Sequence, residues 1–419
     1  MPNVATHLQN GLAADQLKFL QDAGAIASRM GAPLYLVGGS VRDLLLNRPL
    51  LDLDLVAEGD VSALVTKLAH DLGGEAGARS QFDTFKLKLA TGAVDIATAR
   101  TETYAQPGAL PTVKPGSLVD DLVRRDFTIN ALAVNLSPEK FGALVDAHGG
   151  ERDLQDKLIR VLHDASFQDD ATRILRGIRY EQRLGFHLEA NTENLVKRHL
   201  RYLTFISPDR LHRELERCLA EQEPELCMAR MQELGVLNAI VPGLAWSSEL
   251  RHSLNATRAS GQEITPLMFL SLLVWPLTQE LAEALAKRLN LSSRVHKVVR
   301  DTMLIKSALS RLSAPDLPPS GAYALLKERE VEAIQTALLA SDANVVRERL
   351  KRFLSEWQHF KPNLSAQRLM DMGVPEGPLV GKLLGELHAY RLDNADATPA
   401  QEESLVRRRM RELTSESKG

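Results

Sequence analysis

Two aspartates stand two residues apart in the apolar stretch LLDLDLV, and this spacing is the first sign of chemistry in the sequence. If residues 51–55 form a strand, a period of two puts Asp52 and Asp54 on one face and the leucines on the other. Two carboxylates so close repel each other and resist desolvation. A divalent cation relieves that conflict, and hard carboxylate oxygens suit Mg²⁺. The spacing favours a metal site, although a solvated edge strand with two acids has the same pattern.

A glycine pair lies upstream of these acids, in the segment LYLVGGSVRD. Gly38, Gly39 and Ser40 follow a candidate strand and precede a helix that is expected to begin near Val41. Glycine lets a backbone approach a ligand, and the start of a helix offers unpaired N–H groups to a phosphate. Arg42, one turn further on, is placed to bind the same phosphate. The segment and the acids together predict a phosphate cradle beside a metal site, which suits a nucleoside triphosphate with Mg²⁺.

A third acid, Asp95, occupies a strand-like position in VDIATAR. Phosphoryl or nucleotidyl transfer with two metal ions needs several carboxylates around them. Asp95 fits that need, and it equally fits an ordinary acid at the end of a strand.

The segment RRDFTINALAV crowds polar side chains in front of an apolar run. Asp126 and Asn130 are four residues apart and on a helix would share a face, and Arg124 and Arg125 stand just before them. Helix capping by Asp126 is the alternative interpretation.

A further polar series runs through FQDDATRILRGIRYEQRLGF. Asp170, Arg173, Arg176 and Arg179 follow one another at intervals of three, which places them roughly on one helical face. A solvated stripe of ion pairs explains this spacing. A carboxylate that accepts beside a guanidinium that donates also matches the Watson–Crick edges of cytosine and adenine, and mismatches those of guanine and uracil.

The surrounding pattern indicates how these residues are carried. Short apolar runs near residues 33–37, 50–56, 84–90 and 93–97 alternate with helical stretches, which predicts a mixed α/β first part. A loop with three prolines is expected between Thr103 and Asp120. From about Gly150 the pattern becomes helix after helix, without a strong strand signal after Val161.

Composition narrows the functional classes. The 419 residues carry 51 Lys+Arg and 54 Asp+Glu, a net charge of −3, which argues against indiscriminate coating of nucleic acid. Aromatic residues are 5%, which argues against a single-strand binder built on aromatic platforms. Residues 171–220 nevertheless hold ten Lys/Arg against six Asp/Glu, and four arginines cluster at 407–411. These basic segments are either solvated surfaces or contacts to RNA. Two cysteines, no signal peptide and no apolar run long enough for a bilayer predict a cytoplasmic protein without membrane contact.

The ordered motifs GGSVRD, DLD, RRDFTINALA and DDATRILRGIRY closely resemble those of class II tRNA nucleotidyltransferases. This family includes CCA-adding enzymes and bacterial poly(A) polymerases. The motifs span residues 38–180, and weaker similarity continues through SPDRLHRELERCLAE and the C-terminal GPLVGKLLGEL and EESLVRRR. Each motif alone is unspecific, whereas the ordered combination is highly specific.

The resemblance implies an α+β fold. A polymerase-beta-like nucleotidyltransferase head would occupy 1–145, and a helical neck with the base-reading motif 146–220. A helical body would follow at 221–360, and a helical tail that binds tRNA at 361–419.

The resemblance also implies roles for the residues. Asp52 and Asp54 would bind catalytic Mg²⁺, with Asp95 in the catalytic set. The remaining predicted nucleotide-binding residues are Gly38, Gly39, Ser40, Arg42, Arg125, Asp126, Asn130, Asp170, Arg173, Arg176 and Arg179. Asp170 and Arg173 would act as a protein template for C and A, although the usual Glu-Asp pair is Asp169-Asp170 here. The 3′-hydroxyl of tRNA would attack the α-phosphate of CTP or ATP and release pyrophosphate, with the tRNA held at its acceptor arm and 3′ end.

Several activities share these motifs. Complete CCA addition is the leading hypothesis. The alternatives are the addition of only CC, the addition of only A, and the synthesis of poly(A). Some family members carry a metal phosphohydrolase module, but this chain offers one His-Asp pair, His163-Asp164, without a convincing second pair downstream. An RNA-binding protein without catalysis is the remaining alternative. The oligomeric state stays open.

Overall fold

The computed structural model describes residues 3–50, 52–78, 84–89, 92–247, 250–259, 261 and 263–416. The chain divides into two compact units, Met1–Ile240 and Val241–Gly419. The first unit combines a mixed sheet with helices, and the described part of the second is helical, which confirms the predicted α+β class. The finer division at 145, 220 and 360 stays a prediction. None of the described helices has the length and apolar character needed to cross a membrane.

The strands of the first unit are β1 (Leu34–Val37), β2 (Leu53–Ala57), β3 (Glu75–Ala76), β4 (Thr84–Leu89), β5 (Gly92–Thr98), β6 (Arg100–Thr103), β7 (Thr112–Pro115), β8 (Leu132–Asn135), β9 (Leu144–Asp146), β10 (Leu158–Ile159) and β11 (His187–Leu188). Its α-helices are α1 (Ala5–Gly11), α2 (Ala14–Arg29), α3 (Gly39–Leu45), α4 (Val61–Leu72), α5 (Leu118–Val123), α6 (Gly150–Gln155), α7 (Ser166–Asp169), α8 (Thr172–Leu184), α9 (Ala190–His199), α10 (Pro208–Leu219), α11 (Pro224–Glu233) and α12 (Val236–Ile240). Short 3₁₀ turns cover Thr128–Asn130, Pro138–Lys140 and Leu200–Phe205.

Seven strands form the main sheet in the order β3-β4-β5-β2-β1-β8-β9. The pair β2–β5 is parallel, and the other pairs in this sheet are antiparallel. On β4, Phe85 and Leu87 are buried while Lys86 and Lys88 are exposed, so the predicted alternation is confirmed. A sheet with one buried face keeps its register because a slip by one residue would expose the apolar set.

The acidic strand β2 has the same alternation. Leu53 and Leu55 are buried, whereas Asp54 between them is exposed. The strand begins at Leu53, so Asp52 stands just before it rather than inside it. Leu51, predicted to share the leucine face, lies outside the described residues.

Two strand predictions are wrong in detail. The expected loop between residues 103 and 120 contains β7, which pairs antiparallel with β6. Thr112 and Val113 are β-branched and suit an extended backbone, and an edge hairpin tolerates Pro115. The short β11 pairs in parallel with β10, although no strand was expected so late in the chain. Two residues are too few to give a periodic signal.

The helices that carry the polar motifs also begin later or earlier than the spacing predicted. Helix α3 begins at Gly39, two residues before the expected start. The segment from Asp126 to Asn130 is a bend ending in a 3₁₀ turn rather than a helix. Asp170 has an extended backbone (φ −144°, ψ 98°) between α7 and α8, so it precedes the helix that bears Arg173.

The second unit consists of α13 (Leu250–Ala259), α14 (Pro266–Val274), α15 (Gln279–Arg288), α16 (Ser293–Ser307), α17 (Leu309–Leu312), α18 (Pro319–Leu326), α19 (Val331–Ala340), α20 (Asn344–Ser355), α21 (Ala366–Asp371), α22 (Pro378–Asp393) and α23 (Pro399–Glu416), with a 3₁₀ turn at Trp357–His359. One core gathers around Ile334, Leu350 and Trp357. Another, around Leu369 and Leu387, packs α21, α22 and α23 together.

Candidate active site

Asp54 and Asp95 lie side by side on adjacent parallel strands. Their Cα positions are partners in the register of β2 and β5. Asp95 is opposite Lys86 on β4, with Lys86 Nζ 3.7 Å from Asp95 Oδ1. The structure therefore brings the three predicted acids to one part of the sheet, because Asp52 directly precedes β2.

Negative charge concentrates around Asp54. The surrounding protein partly desolvates the Asp54 carboxyl, although the residue is still exposed to solvent, and this raises its pKa; Asp95 and Asp52 raise it further, while Arg125 and Arg42 lower it. A divalent cation would relieve this repulsion, and the donor oxygens are of the hard type that Mg²⁺ prefers. In the described part of the chain, no group of three or more His, Cys, Asp and Glu side chains is arranged to hold a metal ion. Asp52 and Asp54 remain the predicted ligand pair, and Asp95 lies next to Lys86.

Ser40 joins the glycine turn to the acidic strand. Its buried hydroxyl donates to the backbone carbonyl of Asp52 at 3.0 Å, and it accepts from the backbone N–H of Asp54 at 3.1 Å. The Ser40 side chain thus binds the backbone of both acidic residues. Its hydroxyl holds the strand in place at the start of α3.

Gly38 is required by both conformation and space. Its φ is +68°, in the left-handed region that favours glycine. A Cβ at this position would lie 2.5 Å from Arg125 Nη1. A side chain there would displace that guanidinium, so the glycine allows Arg125 to approach the turn. Gly39 follows as the first residue of α3 and lines a large cavity of the first unit.

A buried polar chain connects α3 to α8 through the RRDFT segment. Arg42 Nη1 donates to Asn130 Oδ1 at 2.7 Å, and Asn130 Nδ2 donates to Asp126 Oδ1 at 2.9 Å. Arg176 then donates to Asp126 Oδ2 from Nη2 at 2.6 Å. Burial alone would raise the pKa of Asp126, but Arg176 and Asn130 outweigh it and hold that pKa at about 2. Four predicted site residues are therefore connected, and Asp126 is an anion rather than a helix cap.

The two arginines of RRDFT share one buried acid that sequence reasoning did not single out. Asp121 on α5 is fully buried and forms ion pairs with Arg124 and Arg125. Although burial raises its pKa, the two guanidinium groups outweigh that effect and lower it overall. Asp121 therefore fixes both arginines at the wall of the cavity.

Asp170 and Arg173 line the same cavity but bind different partners. Asp170 Oδ1 accepts from the backbone N–H of Thr172 at 3.0 Å and from its hydroxyl at 2.6 Å. Asp170 Oδ2 is 2.7 Å from Arg210 Nη2. Arg173 donates from Nη1 to Ser166 Oγ at 2.7 Å. The structure thus brings the predicted base-reading pair to one cavity, with both side chains already oriented by neighbours.

Two further sequence candidates lie apart from this arrangement. Arg179 is buried with its guanidinium over the ring of Tyr180, 5.0 Å from the centroid, and it is not among the residues that line the cavity. His163 Nε2 is 3.7 Å from Asp169 Oδ2, and burial lowers the pKa of His163. Asp164 instead accepts from Asn191 Nδ2 at 3.2 Å.

The cavity has a volume of about 850 Å³ and a strongly basic wall. Its lining comprises ten arginines and six carboxylates among other residues. Of the predicted site residues, the lining includes Gly39, Arg42, Asp54, Arg125, Asp126, Asn130, Asp170, Arg173 and Arg176. One cavity therefore brings together Asp54, a basic wall and the candidate base-reading pair, whereas Gly38, Ser40, Asp52 and Asp95 are not among its lining residues.

Two groups of lining residues were not predicted one by one, although the loop after Thr103 and the motif SPDRLHRELER contain most of them. One group comes from β6 and the segment after it: Arg100, Glu102, Tyr104, Gly108, Leu110 and Pro111. The other lies at the N-terminal end of α10 and along it: Ser207, Asp209, Arg210, Arg213, Glu214 and Arg217. The motif SPDRLHRELER was the available signal for the second group, since its arginines repeat at helical spacing.

Comparison with known proteins agrees with this geometry. The family described as "Poly A polymerase head domain" matches residues 34–160, and the family described as "Probable RNA and SrmB- binding site of polymerase A" matches residues 185–247. The first range contains the acidic strand and the RRDFT segment, and the second contains α10.

Three individual proteins illustrate the similarity. An A-adding tRNA nucleotidyltransferase of Geobacter sulfurreducens is 33% identical over 94% of this chain, which spans 47% of that protein, about half its length. A CC-adding tRNA nucleotidyltransferase of Deinococcus radiodurans is 32% identical over 91% of both chains. The solved structure of the Thermotoga maritima CCA-adding enzyme complexed with tRNA is 29% identical, with a TM-score of 0.81 over 98% of this chain and 99% of that one. On sequence, fold and site geometry together, this chain belongs to the family of tRNA nucleotidyltransferases and bacterial poly(A) polymerases.

Proposed function

We propose that the chain adds C and A residues to the 3′ end of tRNA from CTP and ATP, without a nucleic-acid template, and releases pyrophosphate. One observation carries this proposal: Asp54, the arginines of α3 and RRDFT, and the pair Asp170 and Arg173 all line one cavity. A nucleotidyl transfer needs carboxylates at the reacting phosphate and cations along the triphosphate. A reaction restricted to two bases also needs fixed donors and acceptors for the base.

Mg²⁺ is the proposed cofactor, with Asp52 and Asp54 as its ligands. The support is the raised pKa of Asp54 among neighbouring carboxylates, which a divalent cation would offset. When bound, the cation would lower the pKa of the attacking hydroxyl and neutralise charge on the triphosphate. Asp95, paired in register with Asp54 and close to Lys86, completes the proposed catalytic set.

The basic wall positions the triphosphate in this proposal. Arg42 and Arg125 line the cavity near Asp54, and their charges already lower its pKa. Guanidinium groups bind phosphate oxygens through paired hydrogen bonds. Arg42 and Arg125 would therefore hold the triphosphate so that the α-phosphate lies in line between the 3′-hydroxyl and pyrophosphate. Gly38 contributes by leaving room for Arg125.

Asp170 and Arg173 select the base in this proposal. Asp170 would accept from the exocyclic amine of cytosine or adenine, and Arg173 would donate to the adjacent ring nitrogen. Uracil and guanine present a carbonyl and an N–H at these places, so they would leave both side chains without partners. The hydrogen bonds from Thr172 fix the orientation of Asp170, which such discrimination needs.

The acceptor arm and 3′ end of tRNA are the proposed partner, and the cytoplasm is the proposed compartment. Support for tRNA comes from the match of residues 185–247 to an RNA-binding family and from the similar enzyme solved with tRNA. Cys218 and Cys227 are free, buried thiols, which fits a reducing compartment.

Addition of A alone is the second candidate, because an A-adding enzyme of Halalkalibacterium halodurans is 41% identical over 256 residues. Three tRNA acceptors separate the candidates: one that lacks CCA, one that ends in C and one that ends in CC, each with CTP and ATP supplied separately. A complete CCA-adding enzyme extends the first two with CTP and the third with ATP. An A-adding enzyme extends only the third, a CC-adding enzyme only the first two, and a poly(A) polymerase uses ATP repeatedly on any of them.

A further inference from the structure

Two large apolar side chains are left open to solvent close to the cavity. Leu110 is 62% exposed and Phe205 is 59% exposed, the highest values among the exposed large apolar residues that the structure describes. Phe205 is the aromatic member of this group. An exposed phenyl ring offers a flat apolar face to a ligand.

These side chains belong to two segments that touch. Gly108 has a φ of +76°, and a Cβ there would lie 2.5 Å from the carbonyl oxygen of Phe205 and 2.9 Å from its Cβ. The carbonyl of Gly108 also accepts from Arg210 Nη1 at 3.3 Å. Gly108, Leu110 and Arg210 all line the cavity. Phe205 therefore stands directly beside the wall of the candidate active site.

Phe205 is also the outer member of a row of three rings. Its centroid is 6.1 Å from that of Tyr202 with the planes tilted by 39°, and Tyr202 contacts His199 edge-to-face at 5.5 Å. The guanidinium of Arg201 lies 5.0 Å from the centre of the Tyr202 ring. His199 is buried and Tyr202 is half-buried, so the row of rings runs from the protein interior to the exposed ring of Phe205. The inner rings hold the outer ring in place.

We propose that Phe205 is a stacking platform for one nucleobase in the single-stranded 3′ end of the RNA substrate. This inference rests on the proposed function, which supplies a 3′ end that must enter the cavity. Aromatic rings stack on nucleobases of any sequence because every base has a π-face. Leu110 supplies an apolar edge, and Arg213 and Arg217 on α10 supply charge for the RNA backbone.

The surroundings favour RNA over a protein partner. The exposed ring stands beside a wall rich in arginine rather than in a broad apolar patch. Arginine beside aromatic rings is the usual composition of a single-strand RNA site. The low aromatic content of the chain excludes an extended row of platforms, and it is compatible with one.

The test compares Phe205→Ala, Phe205→Leu and Phe205→Trp in the full chain. The probe is tRNA lacking CCA, with 2-aminopurine as its 3′-terminal base, titrated in the absence of CTP and ATP. Stacking on Phe205 should quench the 2-aminopurine emission and tighten binding. We expect Phe205→Ala and Phe205→Leu to weaken RNA affinity by about 5-fold or more and to restore the emission. Phe205→Trp should retain both properties.

Val345→Ala is the matched control, since Val345 is a 48% exposed apolar side chain in the second unit. It should leave affinity and emission unchanged. Thermal unfolding curves show whether each variant folds. If Phe205→Leu binds RNA with the affinity and emission of the wild type, the contact is apolar but does not require stacking. If Phe205→Ala does so, Phe205 does not contact the base at all. Either result overturns the inference while tRNA binding and nucleotide addition by the wild type stand. Failure of the wild type to bind tRNA would instead contradict the proposed function itself.

Discussion

Arg176 donates from Nε at 2.9 Å and from Nη2 at 2.6 Å to one oxygen, Oδ2 of Asp126. The other oxygen of Asp126 accepts from the backbone N–H of Phe127 and from Asn130, both at 2.9 Å. The carboxylate is therefore satisfied on both sides at the place where α8 meets the RRDFT segment. An ion pair in this setting depends strongly on both partners being present.

Removal of Arg176 should destabilise the first unit markedly. In Arg176→Ala the buried Asp126 carboxylate loses its cation, and we expect a loss of about 3 kcal/mol, at the lower end of the range for buried pairs because Arg176 keeps some solvent contact. Thermal or urea unfolding of the full chain measures it. The exposed pair of Arg152 and Asp156 gives the control, and Arg152→Ala should cost at most about 1 kcal/mol. Equal effects of the two substitutions would contradict the assigned role.

The same carboxylate predicts a dependence of stability on pH. The pKa of Asp126 is held at about 2, below its ordinary value of 3.8, so the anion stabilises the folded state above pH 4. This contribution should be lost as the pH falls from about 4 to about 2, because the unfolded chain takes up the proton near pH 4 whereas the folded protein does so only near pH 2. Wild type and Asp126→Asn are compared by unfolding across that range. The wild type should lose stability more steeply, and parallel curves would refute the depressed pKa.

Loss of either proposed metal ligand should abolish nucleotide incorporation without unfolding the protein. Asp54 is exposed between buried leucines, so Asp54→Ala removes no core packing. We expect incorporation to fall by at least about 100-fold for Asp52→Ala and Asp54→Ala, more than is typical for residues that only support a ligand. Asp60, which caps α4 by accepting from Ala63 N–H, is the control acid. Normal activity in Asp54→Ala would exclude the proposed metal site.

Substitution of the base-reading pair should relax the preference for C and A. Asp170→Ala or Arg173→Ala should narrow the preference for CTP and ATP over UTP and GTP by about 5- to 150-fold, the range of a good bidentate base contact. Single-nucleotide incorporation with each triphosphate measures this ratio. The neighbouring acid provides a control, because Asp169 lies near His163 and outside the cavity lining. Unchanged ratios in both variants would remove the template role.

The basic end of α23 predicts a contribution to RNA affinity. Arg407, Arg408 and Arg411 are exposed, whereas Val406 beside them is buried in the core of this part. Triple replacement of the arginines by alanine tests their charge better than truncation, which would remove core packing. Affinity for tRNA should fall, and its dependence on log salt concentration should become shallower. Arg294→Ala, at another exposed arginine, should leave the slope unchanged.

The sequence predicted the parts of the site that are encoded by local pattern. The alternation around Asp54 and on β4 specified strands, and the glycine pair specified a turn before a helix. The resemblance of four motifs specified the family. Each strand, turn and motif lies within a few consecutive residues, and the family is identified by the order of the motifs along residues 38–180.

The remaining features depend on contacts between distant segments. Arg210 reaches Asp170 from α10, far along the chain, and this partnership has no local signal, whereas Asp121 and Arg125 are only four residues apart. The predicted helical face of Asp126 and Asn130 is wrong, yet the two side chains do meet, because a bend brings them together instead. Spacing along the chain indicated proximity here without indicating the backbone that produces it.

The hydroxyl of Ser40 affects how the affinities of the site for triphosphate and cation depend on each other. One side chain in the first turn of the helix that carries Arg42 binds the backbone of both Asp52 and Asp54, so direct hydrogen bonds join the proposed phosphate-binding and carboxylate-bearing parts of the site. Ligands of the two parts would then be thermodynamically linked, each changing the apparent affinity of the other by the same factor. The affinity for the triphosphate would then depend on the concentration of the cation, and the affinity for the cation on that of the triphosphate. Ser40→Ala would reduce this mutual effect while it leaves every charged residue of the site in place.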